Sequence, residues 1–303
     1  MNKKTRMTAG IFVSVVAWIF LLVPSAFAGL TKIADNVYAY VDVKNSSTQN
    51  SFGANASIVI GQNGVLVIDT LVSAKEAQRF LADIRKVTNK PIKYVVNTHY
   101  HLDHAFGNSE FAKLGAVIIS SNADRDNMAK YGEETLKNAE NFGLTAQDMK
   151  GTSIVLPGLT FNNRMTIHLG DETVELIYVT PSHTTGSILT YIPRHKLLFV
   201  GDNLFTDYHP YIADADLKGW IKILDYIDKM DVTTIIPGHG PLSTKKDIRE
   251  MKIYLQSFDK IARKMASQGK DAEAIAAEIK KKLPRSQGEG LVPYNVKAKY
   301  LNK

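Results

Sequence analysis

The stretch from Thr98 to His104 concentrates side chains that bind metal ions. It carries imidazoles at His99, His101 and His104 and a carboxylate at Asp103. Two histidines separated by one residue at the end of a strand can point to the same side and chelate one ion. Asp103 and His104, on the turn that follows, can then reach a second ion close by. The spacing of these residues therefore indicates metal chemistry.

Three further ligand-type residues occur downstream in similar positions, each expected in a turn after a strand. They are His183, Asp202 and His239, the last of which lies between Gly238 and Gly240. Glycines allow a backbone to come close to a metal, and the neighbouring prolines stiffen the turns around His183 and His239. The candidate site thus draws on distant parts of the chain.

The chain contains no cysteine. Disulfides, thiolate nucleophiles and cysteine-ligated zinc are therefore excluded, and any metal must be held by histidine and carboxylate.

The order of the predicted elements favours an α/β fold with strands alternating with helices. An apolar fraction of 45% can supply a substantial core. An Asn-Gly pair at 63–64 predicts a hairpin, and Ser73 is a predicted helix N-cap. Strands are predicted at 37–41, 56–60, 65–68, 92–96, 116–119, 165–169, 174–179, 187–192, 197–200 and 233–236. Helices are predicted at 73–90, 108–114, 122–141, 217–230, 248–265 and 271–282, followed by a loosely ordered segment at 285–303.

These spaced motifs, taken together, resemble the metallo-β-lactamase-fold superfamily over about residues 37–244. The resemblance rests on the HxHxDH motif at 99–104, a second-half histidine at His183, a Gly-Asp pair ending at Asp202 and the PGHG motif around His239. It implies a four-layer αββα sandwich with two metals in the cleft along its edge. A helical C-terminal extension would follow the sandwich.

The resemblance also implies a division of the ligands. His99, His101 and His183 would hold the first ion. Asp103, His104 and His239 would hold the second, and Asp202 would bridge both. Asp69, which ends a predicted strand, would lie behind the ligands and orient a ligand histidine; the alternative for Asp69 is a helix cap or turn former.

The activity implied is that of a metal-dependent hydrolase. Two divalent ions, zinc by default with iron or manganese as alternatives, would share a water and lower its pKa, giving a hydroxide that attacks an amide or ester carbonyl. Asp103 would be the catalytic residue that accepts a hydrogen bond from this water and passes its proton to the leaving group.

Several reactions stay open, because a fold does not fix a substrate. A β-lactamase-like activity on a small-molecule substrate is the first expectation. A lactonase or a thioester hydrolase of the glyoxalase II type is an alternative, as is an iron-dependent persulfide dioxygenase. A metal-binding interaction protein without activity is the non-enzymatic alternative.

Three histidines lie outside the motifs. His168 and His195 are expected to be surface or packing residues. His209, together with Tyr208 in the aromatic run 205–211, is a candidate for the substrate pocket. A structural role is the competing expectation for this run.

The first 28 residues are typical of an export signal. Lys3, Lys4 and Arg6 precede an apolar run, and the Ala26-Phe27-Ala28 pattern predicts cleavage after Ala28. The mature protein would be periplasmic or secreted and would retain no stable membrane span; an uncleaved anchor is the alternative.

The domain boundaries expected are 1–28 for the signal peptide, 29–245 for the catalytic domain and 246–303 for the C-terminal helical extension and tail. Without the signal, 34 basic and 30 acidic residues leave a formal charge of +4. No basic stripe is interleaved with aromatic residues, so nucleic acid is not the expected partner. The sequence leaves the oligomeric state open.

Overall fold

The computed structural model describes residues 29–43 and 46–301. The predicted signal peptide, residues 1–28, lies outside the described residues. Within them, no helix combines the length and the apolar character needed to cross a membrane.

Two sheets form the centre of the molecule. The first has seven strands in chain order, and the second has five strands in the order β12-β11-β10-β9-β8. The first sheet comprises β1 (Thr31–Ala34), β2 (Val37–Tyr40), β3 (Ala56–Gly61), β4 (Gly64–Ile68), β5 (Ile92–Val96), β6 (Val117–Ser121) and β7 (Leu159–Phe161). The second comprises β8 (Arg164–His168), β9 (Thr173–Ile177), β10 (Leu189–Ile192), β11 (Leu197–Phe205) and β12 (Thr234–His239).

Helices cover the outer faces of both sheets. They are α1 (Ala74–Val87), α2 (Leu102–Ala105), α3 (Asn108–Ala112), α4 (Asn122–Lys137), α5 (Leu217–Lys229), α6 (Lys245–Ser267), α7 (Ala272–Lys282) and α8 (Leu291–Val296). The helix α1 begins where the sequence predicts, because the Ser73 hydroxyl accepts the backbone N–H of Glu76. The predicted hairpin is also confirmed, since β3 and β4 pair antiparallel across the Asn63-Gly64 turn.

Three apolar clusters separate four layers. One lies between the sheets and contains Leu66 and Val96 from the first sheet with Leu176 and Phe199 from the second. A second packs Phe80 and other residues of α1 on the outer face of the first sheet. The third packs α5 to α8 on the second sheet. The predicted αββα sandwich is therefore confirmed.

The prediction of a loosely ordered segment at 285–303 is wrong for its described part. The helix α8 and the π-helical turn Lys297–Leu301 bury Val292, Val296 and Tyr300 in the same cluster as Trp220 of α5. Short elements with few apolar residues give a weak periodic signal, so their order comes from tertiary burial rather than from propensity.

One buried side chain ties α8 to the body of the molecule. The Asn295 amide donates to the carbonyl of Pro210 (2.8 Å), and its side-chain oxygen accepts the backbone N–H of Ile212 (2.9 Å). The segment 210–212 is thereby fixed against the C-terminal helices.

We expect Asn295→Ala to lower the free energy of unfolding by about 2–6 kcal/mol, because two buried backbone groups would lose their partners at about 1–3 kcal/mol each. Denaturant unfolding followed by circular dichroism measures this change. The exposed Asn89→Ala serves as the control and should change stability by less than about 0.5 kcal/mol. Equal effects of the two substitutions would contradict this role of Asn295.

Candidate metal centre

The first ligand-type residues lie where β5 ends at one edge of the sandwich. His99 is buried and lies three residues beyond Val96, the last residue of β5, and His101 immediately precedes α2. The first turn of α2 then carries Asp103 and His104. Since β4, β5 and β6 are parallel, their carboxyl ends meet at this edge, which is where α/β sheets place ligands.

The second sheet brings its residues to the same edge. His183 lies in the connection between β9 and β10, as predicted. The expectation that Asp202 and His239 lie in turns after strands is wrong. Asp202 lies within β11, which continues past Gly201 at a positive φ of 50°, and His239 is the last residue of β12.

Close contacts hold the two halves together at the site. The backbone N–H of Ile188 donates to the Thr98 carbonyl (3.0 Å), linking the two halves. The buried Asn55 amide donates to the carbonyls of Pro237 (2.9 Å) and Gly240 (3.0 Å), which fixes the loop around His239. A Cβ on Gly238 would lie 1.9 Å from Asp202 Oδ1, so only glycine allows this approach.

Seven side chains converge there in two groups whose ligand atoms could each hold an ion. The groups are His99, His101, His183 and Asp202, and Asp103, His104 and His239. The two oxygens of Asp202 face different groups. Its Oδ2 lies 3.3 Å from His183 Nε2, whereas its Oδ1 lies 3.1 Å from His104 Nε2 and 3.5 Å from His239 Nε2.

A hydrogen-bond network behind the site fixes the imidazole tautomers. Asp69 Oδ2 accepts from His104 Nδ1 (2.8 Å) and from the Thr98 hydroxyl (2.8 Å). Because that hydroxyl donates to Asp69, its oxygen accepts from His99 Nδ1 (3.1 Å). The Nε2 lone pairs of His99 and His104 are therefore left to face the centre.

Two other histidines are oriented in the same way. His101 Nε2 lies 3.1 Å from Asp214 Oδ2, and His239 Nδ1 lies 3.2 Å from the Phe52 carbonyl. The sequence analysis missed Asp214. It lies in an irregular segment between β11 and α5, where no motif or periodicity distinguishes it from the neighbouring Asp216.

The residues present fit a divalent cation. His99 Nε2, His104 Nε2 and Asp202 Oδ1 are buried without a hydrogen-bond partner, although buried polar atoms are normally paired. These three atoms belong to the two candidate ligand groups. Imidazole nitrogens and carboxylate oxygens are the donor set that zinc and related ions bind.

The electrostatics of the centre also favour a cation. Burial by itself would raise the pKa of Asp202, but the surrounding imidazoles, His104 foremost, lower it well below its usual range. Burial would lower the pKa of His239, yet Asp202 and Asp103 raise it to about 9. The two carboxylates therefore create a negative electrostatic potential, which a bound cation would neutralise.

A cavity of about 1060 Å³ opens over this centre. Asp103, Asp202 and His239 line it, and so do Phe205, Tyr208 and Tyr211 of the aromatic run. Phe205 stacks on the His239 ring with centroids 5.0 Å apart, which adds to the orientation of that ligand.

His209 does not line the cavity. It is buried, and its Nδ1 lies 2.7 Å from the Tyr254 hydroxyl of α6. Its side chain therefore points away from the substrate space, since alternate residues of an extended segment face opposite sides. His168 is exposed, and His195 lies against the buried Glu172 at 3.2 Å, so both are surface or packing residues as predicted.

The family model described as the metallo-beta-lactamase superfamily matches residues 50–239 of this chain. That range covers more than half of the 303 residues and contains all seven converging side chains. The chain therefore belongs to the metallo-beta-lactamase superfamily.

Two curated relatives are similar to this chain. A linear primary-alkylsulfatase from a Pseudomonas species is 25% identical over 221 residues, which are 62% of this chain and 42% of that protein. A metallo-beta-lactamase type 2 from Bacteroides fragilis is 23% identical over 235 residues, which are 76% of this chain and 86% of that protein. This chain thus spans less than half the length of the alkylsulfatase.

Among solved structures, a metallo-beta-lactamase from Pontibacter korlensis superposes with a TM-score of 0.62 at 22% sequence identity. The match covers 75% of this chain and 98% of that structure. At this identity the likeness supports the fold alone.

We expect Asp69→Asn to weaken metal binding about 10- to 100-fold, because His104 and Thr98 would lose a charged acceptor. The substitution is nearly isosteric, and asparagine tolerates the positive φ of 61° at this position. Competition against a chromogenic chelator measures the affinity. Asp35→Asn, at an exposed position, is the matched control. If the Asp69→Asn variant binds metal as tightly as this control does, Asp69 has no part in orienting a ligand.

Proposed function

We propose that this protein is an exported hydrolase that uses two divalent metal ions, zinc by default, to hydrolyse an amide or ester bond by attack on its carbonyl carbon. The observation that carries the proposal is the division of the Asp202 oxygens between two groups of imidazoles. Each group offers three further ligand atoms, so a pair of ions suits the site better than a single ion.

The proposed ligands follow the two groups. His99, His101 and His183 would hold one ion, Asp103, His104 and His239 would hold the other, and Asp202 would bridge them. When bound, such a pair supplies a nucleophilic hydroxide at neutral pH and a Lewis acid for the substrate carbonyl. The remaining roles belong to residues of the chain.

Asp103 is the proposed proton carrier. Its carboxylate lines the cavity, and its Oδ2 lies 3.2 Å from His239 Nε2, within the second group of candidate ligands. From this position Oδ2 can accept a proton from the attacking water and deliver it to the leaving group. Serine or cysteine nucleophiles are not required.

The alternatives can be ordered by the same observations. Hydrolysis of a sulfate ester is a second candidate, favoured by the similarity to the Pseudomonas alkylsulfatase. A single-iron dioxygenase would leave the second group of three ligand-type residues without a role. Thioester and lactone hydrolysis require the same metal chemistry as the first proposal.

Export is part of the proposal and is supported by the sequence pattern of residues 1–28. Protein recovered from the periplasm or the medium should begin at Gly29, which N-terminal sequencing tests. A mature protein that retains Lys3 and Lys4 would contradict cleavage.

We expect metal removal to abolish hydrolysis and zinc to restore it. Purified protein is titrated with a chelator while a chromogenic β-lactam, a lactone, an acyl thioester and an alkyl sulfate are assayed, and metal content is measured by elemental analysis. About two ions per chain and loss of activity with the metal are the expected results. Activity that survives complete metal removal, or one bound iron with oxygen uptake, would overturn the proposal.

We expect Asp103→Asn to lower kcat by about 10²- to 10⁴-fold, because an amide cannot take up the proton. Asp207→Asn, in the segment that follows β11, is the control and should leave kcat unchanged. Metal content is measured in both variants, so that loss of a ligand is separated from loss of a proton carrier. An unchanged kcat in Asp103→Asn would assign proton transfer to another group.

A further inference from the structure

Four tyrosines and one carboxylate form the wall of the cavity next to His101. We name Tyr100, Tyr131, Tyr211, Tyr294 and Asp214 the tyrosine rim, and all five line the cavity. Tyr100 lies beside Tyr131 with ring centroids 5.9 Å apart, and Tyr211 stacks on Tyr294 at the same separation. The rim therefore consists of two aromatic pairs with an acidic group.

The rim is attached to the metal centre through His101. The Asp214 carboxylate accepts the Tyr100 hydroxyl (2.9 Å) and lies 3.1 Å from His101 Nε2. The Tyr211 ring meets the His101 ring edge-on with centroids 5.3 Å apart. A group bound at the rim would thus lie beside the proposed reaction site.

The rim leaves aromatic surface uncovered. Nine large hydrophobic side chains are exposed among residues 29–43 and 46–301, and three of these, Tyr131, Phe142 and Tyr294, line this one cavity. Tyr294 is 54% exposed. Apolar surface gathered in a concave site, rather than scattered singly, is typical of a ligand-binding surface.

The rim contains one carboxylate, Asp214, and the Lys130 ammonium lies 4.8 Å from the centre of the Tyr131 ring. Within the described part of the chain, the cavity-lining residues include no lysine or arginine, while Asp214 and Glu289 contribute carboxylates. Glu289 lies 4.0 Å from Lys280, which leaves Asp214 as the carboxylate of the rim itself. Lys299 donates to the Ala215 carbonyl (2.6 Å) and does not line the cavity.

The C-terminal helices hold the side of the rim formed by Tyr211 and Tyr294. Tyr294 belongs to α8, and the adjacent Asn295 binds the segment 210–212 that precedes Asp214. A rigid site binds a ligand without the entropic cost of ordering its own side chains. The helix α8 therefore provides one side of a substrate wall as well as covering the core.

We propose that the tyrosine rim binds the non-reacting part of the substrate and that this part is an organic cation, such as a substituted ammonium group. Tyrosine rings attract cations through their negative faces, and a carboxylate among them adds to the attraction. This inference adds a substrate feature to the proposed function. It rests on that function only because the rim lies beside the proposed reaction site.

The experiment compares three small probes that share a phenyl ring. Binding of benzyltrimethylammonium, benzyl alcohol and benzenesulfonate to the metal-loaded protein is measured by NMR titration. We expect the cation to bind about two- to fivefold more tightly than the alcohol and the sulfonate to bind most weakly.

Two variants at Tyr294 and one control locate the effect. Tyr294→Ala should remove the preference for the cation, whereas Tyr294→Phe should retain it because the ring is kept. The control is Ile253→Ala, an exposed residue of α6 that does not line the cavity, and it should bind as the unaltered protein does.

Tightest binding by the sulfonate, no measurable binding by the cation, or an unchanged preference in Tyr294→Ala would overturn this inference. The binding measurement does not use catalysis. A protein that prefers the cation but hydrolyses none of the assayed substrates would therefore contradict the proposed function and leave the tyrosine rim supported.

Discussion

The burial of Asp202 between two groups of imidazoles is the constraint on which the rest of the structure depends. A buried carboxylate is costly unless charged partners or hydrogen bonds compensate it. Here the partners come from both sheets, because His104 follows β5 and His239 ends β12. The edge of the sandwich is therefore arranged around a buried, negatively charged carboxylate, and the lone pairs of the surrounding imidazoles face it.

The residues behind the ligands explain how such a centre can be held. Four imidazoles each have one ring nitrogen next to a fixed partner outside the centre. The partners are Asp69 for His104, Asp214 for His101, the Thr98 hydroxyl for His99 and the Phe52 carbonyl for His239. Each contact fixes a tautomer and leaves the other nitrogen facing the centre. The imidazoles are thus oriented before any ion binds, so the free-energy cost of ordering them belongs to folding and not to metal binding.

The C-terminal helices connect stability with specificity. They share one apolar cluster with α5 and β11, and through Asn295 they fix the segment 210–212, which carries Tyr211 and precedes Asp214. Relatives of this chain include a β-lactamase and an alkylsulfatase, and a shared fold does not by itself fix the substrate. In this protein, the wall outside the ligands is where the differences in substrate would arise.

Much of the fold and of the candidate centre could be predicted from the sequence, because patterns among neighbouring residues indicated the elements and the candidate ligands. The Asn63-Gly64 hairpin, the Ser73 cap and the apolar strand 92–96 each depend on neighbours in the chain, and the motif spacing marked all seven candidate ligands. Tertiary structure alone decided the rest. Asp214 reaches His101 across 113 positions of sequence, the order of α8 depends on burial against α5, and His209 turns to Tyr254 rather than to the cavity. Such contacts join residues far apart in the chain, so no local pattern encodes them.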